Sequence, residues 1–204
     1  MTCRLLIYDC DGVMFDSLEA NFTFYQRVVD RFGLAPLVRH DHEMMRILHT
    51  FANRDVMAHL FPDEDARQEA LRFAATINYR DLVPFMRMEP GFRQTLDQLQ
   101  GRVELAVCTN RSTSMEMILA DFDLARYFGC VMTAGQVTHP KPHPEPLLKV
   151  LAHYGLEPEE ALFVGDSEVD RLAAAAAHVP FVAYRSDLPT PQRINHHEEI
   201  LSLL

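Results

Sequence analysis

Cysteine and positive charge are both scarce in this chain. Its 204 residues include only four cysteines, at positions 3, 10, 108 and 130, and none of them forms a Cys-x-x-Cys pair. Lysine and arginine number 19 against 29 acidic residues, which gives a formal net charge of −10. That charge argues against nucleic acid and anionic membranes as partners, because both are themselves negative. Only a few apolar residues precede Asp9, too few for a signal peptide, so we expect a cytoplasmic protein with reduced thiols.

Low-complexity tracts and internal repeats are also missing. Hydrophobic residues make up 48% of the chain. A chain of this length and composition can bury one good core together with an insertion, and disorder is not expected. The function must therefore be sought in local motifs.

The first motif is an apolar run that ends in two carboxylates. Leu5–Tyr8 is followed by Asp9, Cys10, Asp11 and Gly12. This pattern is typical of a central strand in an α/β sheet, whose carboxyl end opens into a ligand-binding crevice. Two neighbouring carboxylates repel each other, so they attract a divalent cation or raise the pKa of one acid. The alternative is a turn or calcium loop that uses Asp and Gly only for their local geometry.

Two further segments place polar groups at strand ends. The apolar run 103–108 ends in Thr109 and Asn110, whose hydroxyl and amide can bind phosphate oxygens or simply cap the next helix. The segment 139–144 carries prolines at alternate positions around Lys141. Because proline fixes φ and lacks an N–H, we expect a stiff loop that holds one cation in place.

The last motif is a strand followed by a glycine turn and two carboxylates. The run 161–164 leads through Gly165 to Asp166 and Asp170. Their i, i+4 spacing predicts that both acids lie on one face of the following helix. A helix N-terminus attracts acids for structural reasons, which accounts for one aspartate but not for the pair.

In this order the four motifs resemble those of the haloacid dehalogenase superfamily, specifically its small phosphatases of the phosphoglycolate phosphatase and β-phosphoglucomutase type. The resemblance covers nearly the whole chain. It implies an α/β fold, with a Rossmann-like, doubly wound parallel sheet and an inserted helical cap domain. It also implies a magnesium-dependent phosphatase that hydrolyses a small organic phosphate monoester through an aspartyl-phosphate intermediate.

The chemistry of such a reaction gives each candidate residue a role. Asp9 would be the nucleophile, acting on a phosphorus made electrophilic by Mg²⁺ and Lys141. Asp11 would protonate the leaving alkoxide and later take a proton from the attacking water. Family analogy places Thr109 and Asn110 on the phosphate oxygens.

Three aspartates are the predicted magnesium ligands. One oxygen of Asp9, the main-chain carbonyl of Asp11 and the carboxylate of Asp166 would bind the ion, while a phosphate oxygen and waters would complete the shell. Asp170 would lie behind these ligands and orient waters or Lys141.

The stretch between the first motif and residue 89 has a helical character throughout. Apolar residues recur at three- and four-residue steps, with Ser17 as an expected N-cap and Gly33 as an expected helix stop. We predict a helical cap over residues 17–88 that closes over the site, and a catalytic core formed by residues 1–16 and 89–204.

Two arginines of the predicted cap are candidate substrate contacts. Arg46 and Arg54 could bind the leaving group, although helical arginines often only solvate an outer face. The cap must carry the substrate selectivity, because the four motifs contact only the phosphate.

Beyond residue 89, helical and strand patterns alternate, which predicts a parallel, doubly wound sheet. Helices are predicted near 92–100, 113–120, 144–154 and 168–177, and strands near 103–108, 130–133, 161–165 and 180–184. The final helix runs into His178, where relatives commonly place glycine, so we expect that turn to be built differently.

The ten histidines include a tandem pair, His196 and His197. No sulfur or carboxylate lies at ligand spacing from them, so we expect solvated or capping histidines rather than a zinc site.

Three other functions share parts of this motif pattern. A haloacid dehalogenase has no use for an acid at Asp11, and a degenerate binding module would usually lose an aspartate or the lysine. A phosphosugar mutase of the β-phosphoglucomutase type shares every motif, and the sequence leaves it open. For the phosphatase and the mutase, the expected partner is a small-molecule phosphate ester, and the protein is expected to be a monomer or a homodimer.

Overall fold

A six-stranded parallel sheet forms the centre of the structure, a computed structural model that describes residues 3–204. In chain order the strands are β1 Leu5–Tyr8, β2 Phe15–Asp16, β3 Arg87–Met88, β4 Glu104–Thr109, β5 Cys130–Thr133, β6 Ala161–Gly165, β7 Phe181–Tyr184 and β8 Arg193–Ile194. The α-helices are α1 Leu18–Arg31, α2 His42–Thr50, α3 Asn53–Leu60, α4 Glu64–Ala74, α5 Phe92–Leu99, α6 Met115–Asp121, α7 Glu145–Tyr154 and α8 Glu168–Ala177. None of the helices in the described residues has the length and apolar character needed to cross a membrane.

The sheet runs in the order β5-β4-β1-β6-β7-β8, and all of its neighbouring strands are parallel. The strands β1, β4 and β6 are almost wholly buried, which is why they read as continuous apolar runs rather than alternating ones. The predicted doubly wound α/β fold is confirmed. The position of β1 between β4 and β6 brings the ends of three motif-bearing strands together.

Each face of the sheet is covered by its own hydrophobic cluster. Leu6 and Tyr8 of β1 pack on the side of α5 and α6, whereas Leu5 and Ile7 pack on the side of α7 and α8. This alternation follows from the two-residue period of a strand. The core therefore holds β1 rigidly from both sides, and with it the two aspartates that follow.

Residues 17–88, here called the helical insert, leave and re-enter the sheet domain at one place. The short strands β2 and β3 pair antiparallel, with Phe15 opposite Met88 and Asp16 opposite Arg87. Between them α1 to α4 enclose a separate apolar cluster, formed by Phe22, Tyr25, Val28, Ile47, Leu48, Val56, Met57, Phe61, Ala70 and Ala74. The insert therefore has a core of its own.

Of the predictions for the ends of α1 and α8, only the helix stop at Gly33 is confirmed. Gly33 follows α1 with a positive φ of 66°, as expected for a helix stop, but the Ser17 hydroxyl does not cap the helix and donates to Asp11 instead. At the end of α8, His178 adopts the left-handed conformation with φ at 57°. That is the conformation glycine favours, so the expectation of a differently built turn there is wrong.

The chain after β7 contains elements that the sequence does not predict. They are β8 and a 3₁₀ helix at His197–Ser202, which packs against α5. His196 caps that short helix, as expected, but His197 is fully buried, so the expectation of a solvated or capping histidine is wrong for it. Its ring stacks on Tyr184 with centroids 4.3 Å apart, and its Nε2 donates to the Val13 carbonyl at 2.9 Å.

The buried ring of His197 should make stability depend on pH. Burial lowers its pKa to about 4, and its Nδ1 has no hydrogen-bond partner among residues 3–204 that could stabilise the charged form. Between the ordinary histidine pKa and this value the unfolded chain binds more protons than the folded one. Stability from this group is therefore complete above about pH 6.5 and is lost as the pH falls toward about 4.

We expect the His197→Gln variant to lose this pH dependence. The shift corresponds to roughly 3 kcal/mol, so the wild-type free energy of unfolding should fall by up to that amount more than the variant's between about pH 7 and 4.5. Urea unfolding at several pH values measures both slopes. The exposed His153→Gln on α7 is the control and should keep the wild-type slope. Parallel profiles for wild type and His197→Gln would refute the assignment.

Candidate active site

The carboxyl ends of β1, β4 and β6 meet at one edge of the sheet and bring the sequence motifs together. Asp9 and Asp11 follow β1, Asn110 follows β4, and Asp166 follows β6. The loop that carries Lys141 lies between β5 and α7 and reaches the same edge. This is the crevice that the topology of a doubly wound sheet creates.

Lys141 lies at the centre of the site as a buried ammonium. Its Nζ is 2.8 Å from Asp9 Oδ1, 2.5 Å from Asp170 Oδ1 and 3.0 Å from the Cys108 carbonyl oxygen. The side chain is 2% exposed, and three acceptors match the three N–H donors of an ammonium. Burial acts to lower the pKa of Lys141, but Asp170 and Asp9 outweigh it and raise the pKa, so the lysine is charged.

Asp170 is fixed by the start of α8. Its Oδ2 accepts from the backbone N–H of Ser167 at 3.1 Å and from the Ser167 hydroxyl, in a capping box. Its other oxygen is thereby aimed at Lys141. Asp166 lies before the helix begins, so the prediction that both acids share one face of a helix is wrong. The two meet because Asp166 directly follows β6 and Asp170 lies in the first turn of α8, which begins at Glu168.

Three carboxylates form a cluster that could hold a cation. Ligand oxygens of Asp9, Asp166 and Asp170 all lie within 4.8 Å of one another. Burial, and then the charge of Asp170, raise the pKa of Asp9 to about 7 in spite of Lys141. The same two causes raise the pKa of Asp166 well above its ordinary value. In the described part of the chain Asp166 has no hydrogen-bond or ion-pair partner.

The charges of the site do not balance among the described residues. Four acids converge there, the three of the cluster and Asp11, against two cations, Lys141 and Arg111. A divalent cation would neutralise this excess and return both raised pKa values toward their usual range. The residues therefore fit a hard metal ion with oxygen ligands.

Gly12 lets Asp166 approach the turn after β1. Its φ is +76°, and a Cβ built on it would lie 2.0 Å from Asp166 Oδ2. A side chain here would both strain the backbone and push Asp166 out of the cluster. Gly12 is therefore required both for the positive φ of its turn and because any side chain there would overlap Asp166.

Asp11 faces away from the carboxylate cluster and toward the insert. Its Oδ1 accepts from Nη2 of Arg111 at 2.6 Å, from Nδ2 of Asn21 at 3.1 Å and from the Ser17 hydroxyl. Burial acts to raise the pKa of Asp11, but the Arg111 guanidinium outweighs it and lowers the pKa. Asp11 is therefore an anion in this arrangement. It accepts hydrogen bonds from Ser17, just before α1, and from Asn21, in the first turn of α1.

Arg111 is a site residue that the sequence reasoning missed. Its buried guanidinium also donates to Asn21 Oδ1 at 3.0 Å and to Ser114 Oγ at 3.2 Å, and it lies over the Tyr79 ring. It directly follows Asn110 at the end of β4. A cation next to a strand-end motif was the available signal.

The polar pair at the end of β4 is occupied by backbone groups. Thr109 Oγ1 accepts from the Arg111 N–H at 3.1 Å. Asn110 Nδ2 donates to the carbonyl oxygens of Thr50 and Lys141, each at 3.0 Å. The Asn110 amide therefore joins the helical insert to the lysine loop, and contact of Thr109 and Asn110 with phosphate stays a prediction.

The two insert arginines lie apart from Asp11. Arg46 is exposed and pairs with Glu43 at 2.6 Å, and Arg54 is exposed with Asp55 at 3.7 Å. Neither lines the cavity beside Asp11. Their contact with substrate remains a prediction that this geometry does not support.

That cavity, of about 360 Å³, lies between the helical insert and the strand ends. Asp11 and Arg111 form part of its lining, together with Asn21, His49 and Tyr79 of the insert. Asn21 Nδ2 lies 3.2 Å from His49 Nδ1, and burial lowers the pKa of His49 despite the nearby Asp11 charge. The cavity therefore lies on the Asp11 side of the site, and Asp9 is not part of its lining.

A second cluster lies on the surface of the lysine loop. Ligand atoms of His139, His143 and Glu145 lie within 4.8 Å of one another, which the sequence reasoning did not anticipate. Glu145 is already bonded to the backbone N–H groups of residues 138 and 139 and to Lys149. Its role in the structure is to close the loop onto the start of α7.

Comparison with known proteins places these features in context. The model of the haloacid dehalogenase-like hydrolase family matches residues 6–184. Phosphoglycolate phosphatase 1 of Pseudomonas aeruginosa is 32% identical over 183 residues, which cover 86% of this chain and 67% of that protein. Phosphoglycolate phosphatase of Salmonella typhi is 42% identical over 95 residues, and this match spans 46% of the chain but only 38% of the relative's length.

Solved structures agree over the full length of the fold. A HAD-superfamily hydrolase of subfamily IA from Geobacter sulfurreducens is 60% identical, with a TM-score of 0.88 and complete coverage of both chains. A putative phosphoglycolate phosphatase from Lactobacillus plantarum has a TM-score of 0.87 at 23% identity and shows the fold alone, with complete coverage of both chains. The family match, the sheet order and the four strand-end motifs lead to one conclusion. This chain belongs to the haloacid dehalogenase-like hydrolase family.

Proposed function

We propose that this protein is a Mg²⁺-dependent phosphatase that hydrolyses a small organic phosphate monoester through an aspartyl-phosphate intermediate. The observation that carries the proposal is the buried Lys141 ammonium held between Asp9 and Asp170, beside the partnerless carboxylate of Asp166. The names of the Pseudomonas and Salmonella relatives, both phosphoglycolate phosphatases, support the reaction class.

Asp9 is the nucleophile in this proposal. Phosphate monoesters are among the slowest substrates in water, so a catalyst must lower the barrier by on the order of 20 kcal/mol. An oxygen of Asp9 bonds to phosphorus as the bond to the leaving alkoxide breaks, and Lys141 stabilises the charge on the transferring oxygens. Water then attacks the phosphorus of the acyl phosphate, which releases phosphate and restores Asp9.

The metal would be held by oxygen atoms of the carboxylate-rich strand ends, where negative charge exceeds positive charge. Asp9 and Asp166 would supply carboxylate oxygens, and the main-chain carbonyl of Asp11 would supply a third ligand. When bound, Mg²⁺ supplies Lewis-acid stabilisation of the phosphate oxygens. Asp170 acts through Lys141, since one of its oxygens faces the ammonium and the other is held by Ser167.

Asp11 moves the protons. It borders the leaving-group cavity, where it can give a proton to the departing alkoxide and take one from the attacking water. Its pairing with Arg111 favours the anion, which suits the second step. A bound phosphate dianion raises the pKa of a neighbouring carboxyl, which favours the protonated form that the first step requires.

Replacing Asp9 by asparagine should abolish turnover and preserve the fold. We expect Asp9→Asn to retain less than about one part in a thousand of the wild-type rate of phosphate release, because the nucleophile is lost. Its melting temperature in EDTA should equal or exceed the wild-type value, because one of several repelling buried carboxylates is removed. Greater residual activity in a folded variant would refute the covalent role.

Replacing Asp11 by asparagine should separate the two chemical steps. A nitrophenolate leaves without a proton, so Asp11→Asn should still give a burst of nitrophenolate from 4-nitrophenyl phosphate, followed by slow turnover. With an alkyl phosphate the first step should also slow, by about 10²–10⁴-fold. Calorimetry should find Mg²⁺ affinity nearly unchanged. A collapse of that affinity would instead make the Asp11 side chain a metal ligand.

The glycine that admits Asp166 offers a test of the metal site itself. We expect Gly12→Ala to weaken Mg²⁺ binding strongly in calorimetry, because its Cβ would overlap Asp166 Oδ2 at 2.0 Å. Gly101→Ala is the matched control, since Gly101 has a φ of +77° with nothing within 4 Å of an added Cβ. The control should lose about 1 kcal/mol of stability from its backbone and keep its Mg²⁺ affinity. Equal affinities in the two variants would contradict the proposed ligand set.

A further inference from the structure

The cavity beside Asp11 is large for a two-carbon leaving group. Its volume of about 360 Å³ offers room for about 12 water molecules at the density of liquid water. It also falls in the range of roughly 300–1,000 Å³ that is typical of sites for larger organic ligands. A glycolate leaving group would fill only a small part of it. The space itself therefore indicates a bulkier alcohol.

Much of the cavity wall is apolar. Phe24, Tyr25, Leu48, Phe51, Leu71 and Ile77 line it, and all of them belong to the helical insert. Water against such a wall is unfavourable, and an apolar ligand surface that displaces it gains free energy. The wall indicates a leaving group with an aromatic or aliphatic body.

The charged groups of the lining cancel each other. Within residues 3–204 the lining contains one permanent cation, Arg111, and its Nη2 is bonded to Asp11 at 2.6 Å. The same nitrogen also donates to Asn21 Oδ1, so both of its N–H groups are used, whereas the buried Nε–H of Arg111 has no hydrogen-bond partner within these residues. A carboxylate on the leaving group would lie close to Asp11, which repels it and already neutralises the Arg111 charge. The cavity thus offers no uncompensated positive charge.

The remaining polar groups of the lining are neutral, and two of them lack partners. Asn53 Oδ1 and Asn110 Oδ1 are buried oxygens that accept no hydrogen bond from residues 3–204. Both residues border the cavity. A buried acceptor without a donor is unfavourable, so these oxygens favour a ligand that brings an O–H or N–H group.

We propose that the leaving group of this phosphatase is an uncharged alcohol, bulkier than glycolate, with an apolar body and at least one further hydrogen-bond donor. This inference rests on the proposed phosphatase function and adds the substrate class to it. It distinguishes the chain from relatives whose names specify a carboxylate-bearing substrate.

Three alkyl phosphates test the proposal on the 204-residue chain with Mg²⁺. Phosphoglycolate carries a carboxylate where 2-hydroxyethyl phosphate carries a neutral hydroxymethyl group. The third ester, 2-(4-hydroxyphenyl)ethyl phosphate, has an apolar aromatic body and a phenolic hydrogen-bond donor. We expect kcat/KM to be highest for the aromatic ester and lowest for phosphoglycolate, with about tenfold or more between these two. A smaller difference, or the reverse order, would overturn the proposal.

A cavity-filling variant tests where the preference arises. Leu71→Trp should lower kcat/KM for the aromatic ester by about tenfold and change that for 2-hydroxyethyl phosphate by less than about threefold. Leu148→Trp, at an exposed position of α7, is the control and should affect neither ester. Equal losses for both esters in a folded Leu71→Trp would overturn the assignment of this cavity. If that variant does not fold, the wild-type order of substrates decides.

The failure of the proposed function would look different. It would give no phosphate release from any of the three esters, nor from 4-nitrophenyl phosphate, in protein that binds Mg²⁺. That result would refute the phosphatase assignment, whereas turnover with the wrong order of substrates would refute only the leaving-group class.

Discussion

The pairing of Lys141 with Asp9 and Asp170 is the constraint on which the rest of the site depends. An ammonium can be buried this deeply only when its charge is compensated and its donors are used, and here two carboxylates and one carbonyl do both. Buried ion pairs add little net stability, because desolvation offsets their attraction. The arrangement therefore contributes mainly a fixed positive charge beside Asp9, held by Asp170 of the α8 capping box and by the proline-rich loop that carries Lys141.

The excess of negative charge at the strand ends follows from that arrangement. Because Lys141 is shared by Asp9 and Asp170, it leaves Asp166 without a counter-charge, and the pKa values of Asp9 and Asp166 are raised. The carboxylates lack the positive charge that a bound divalent cation would supply. Gly12 permits the close approach that concentrates the charge, so the first and last motifs form one site although Gly12 and Asp166 are 154 positions apart in the chain.

Asp11 belongs to a second network that joins the core to the helical insert. Arg111, Asn21 and Ser17 bind its carboxylate, and Asn110 bonds both the insert and the lysine loop. The position of Asp11 therefore depends on residues of the insert. Asn21, Arg111 and Asn110 also border the cavity between the insert and the strand ends, so the placement of Asp11 and the shape of that cavity depend on the same residues.

Several features of this protein could be predicted from the sequence because they depend on local pattern. Buried runs and helical spacing predicted the sheet and most helices, since a strand covered on both faces must be continuously apolar. The resemblance to the haloacid dehalogenase superfamily, carried by the motifs after β1, β4 and β6, placed Asp9, Asp11, Asn110 and Asp166 in one site, and the carboxyl ends of parallel strands do lie at one edge.

Other features depend on contacts between residues far apart in the chain, and only the tertiary structure decided them. The position of Arg111 next to Asn110 indicated only a cation beside a strand end and not that it binds Asp11, and the i, i+4 spacing placed Asp166 on a helix that begins after it. His197 looked like a surface residue until Tyr184 and Val13 enclosed it. The sequence alone determined the chemical groups at the strand ends, whereas their pairing, their raised or lowered pKa values and the cavity arise from burial and long-range proximity, which no local pattern encodes.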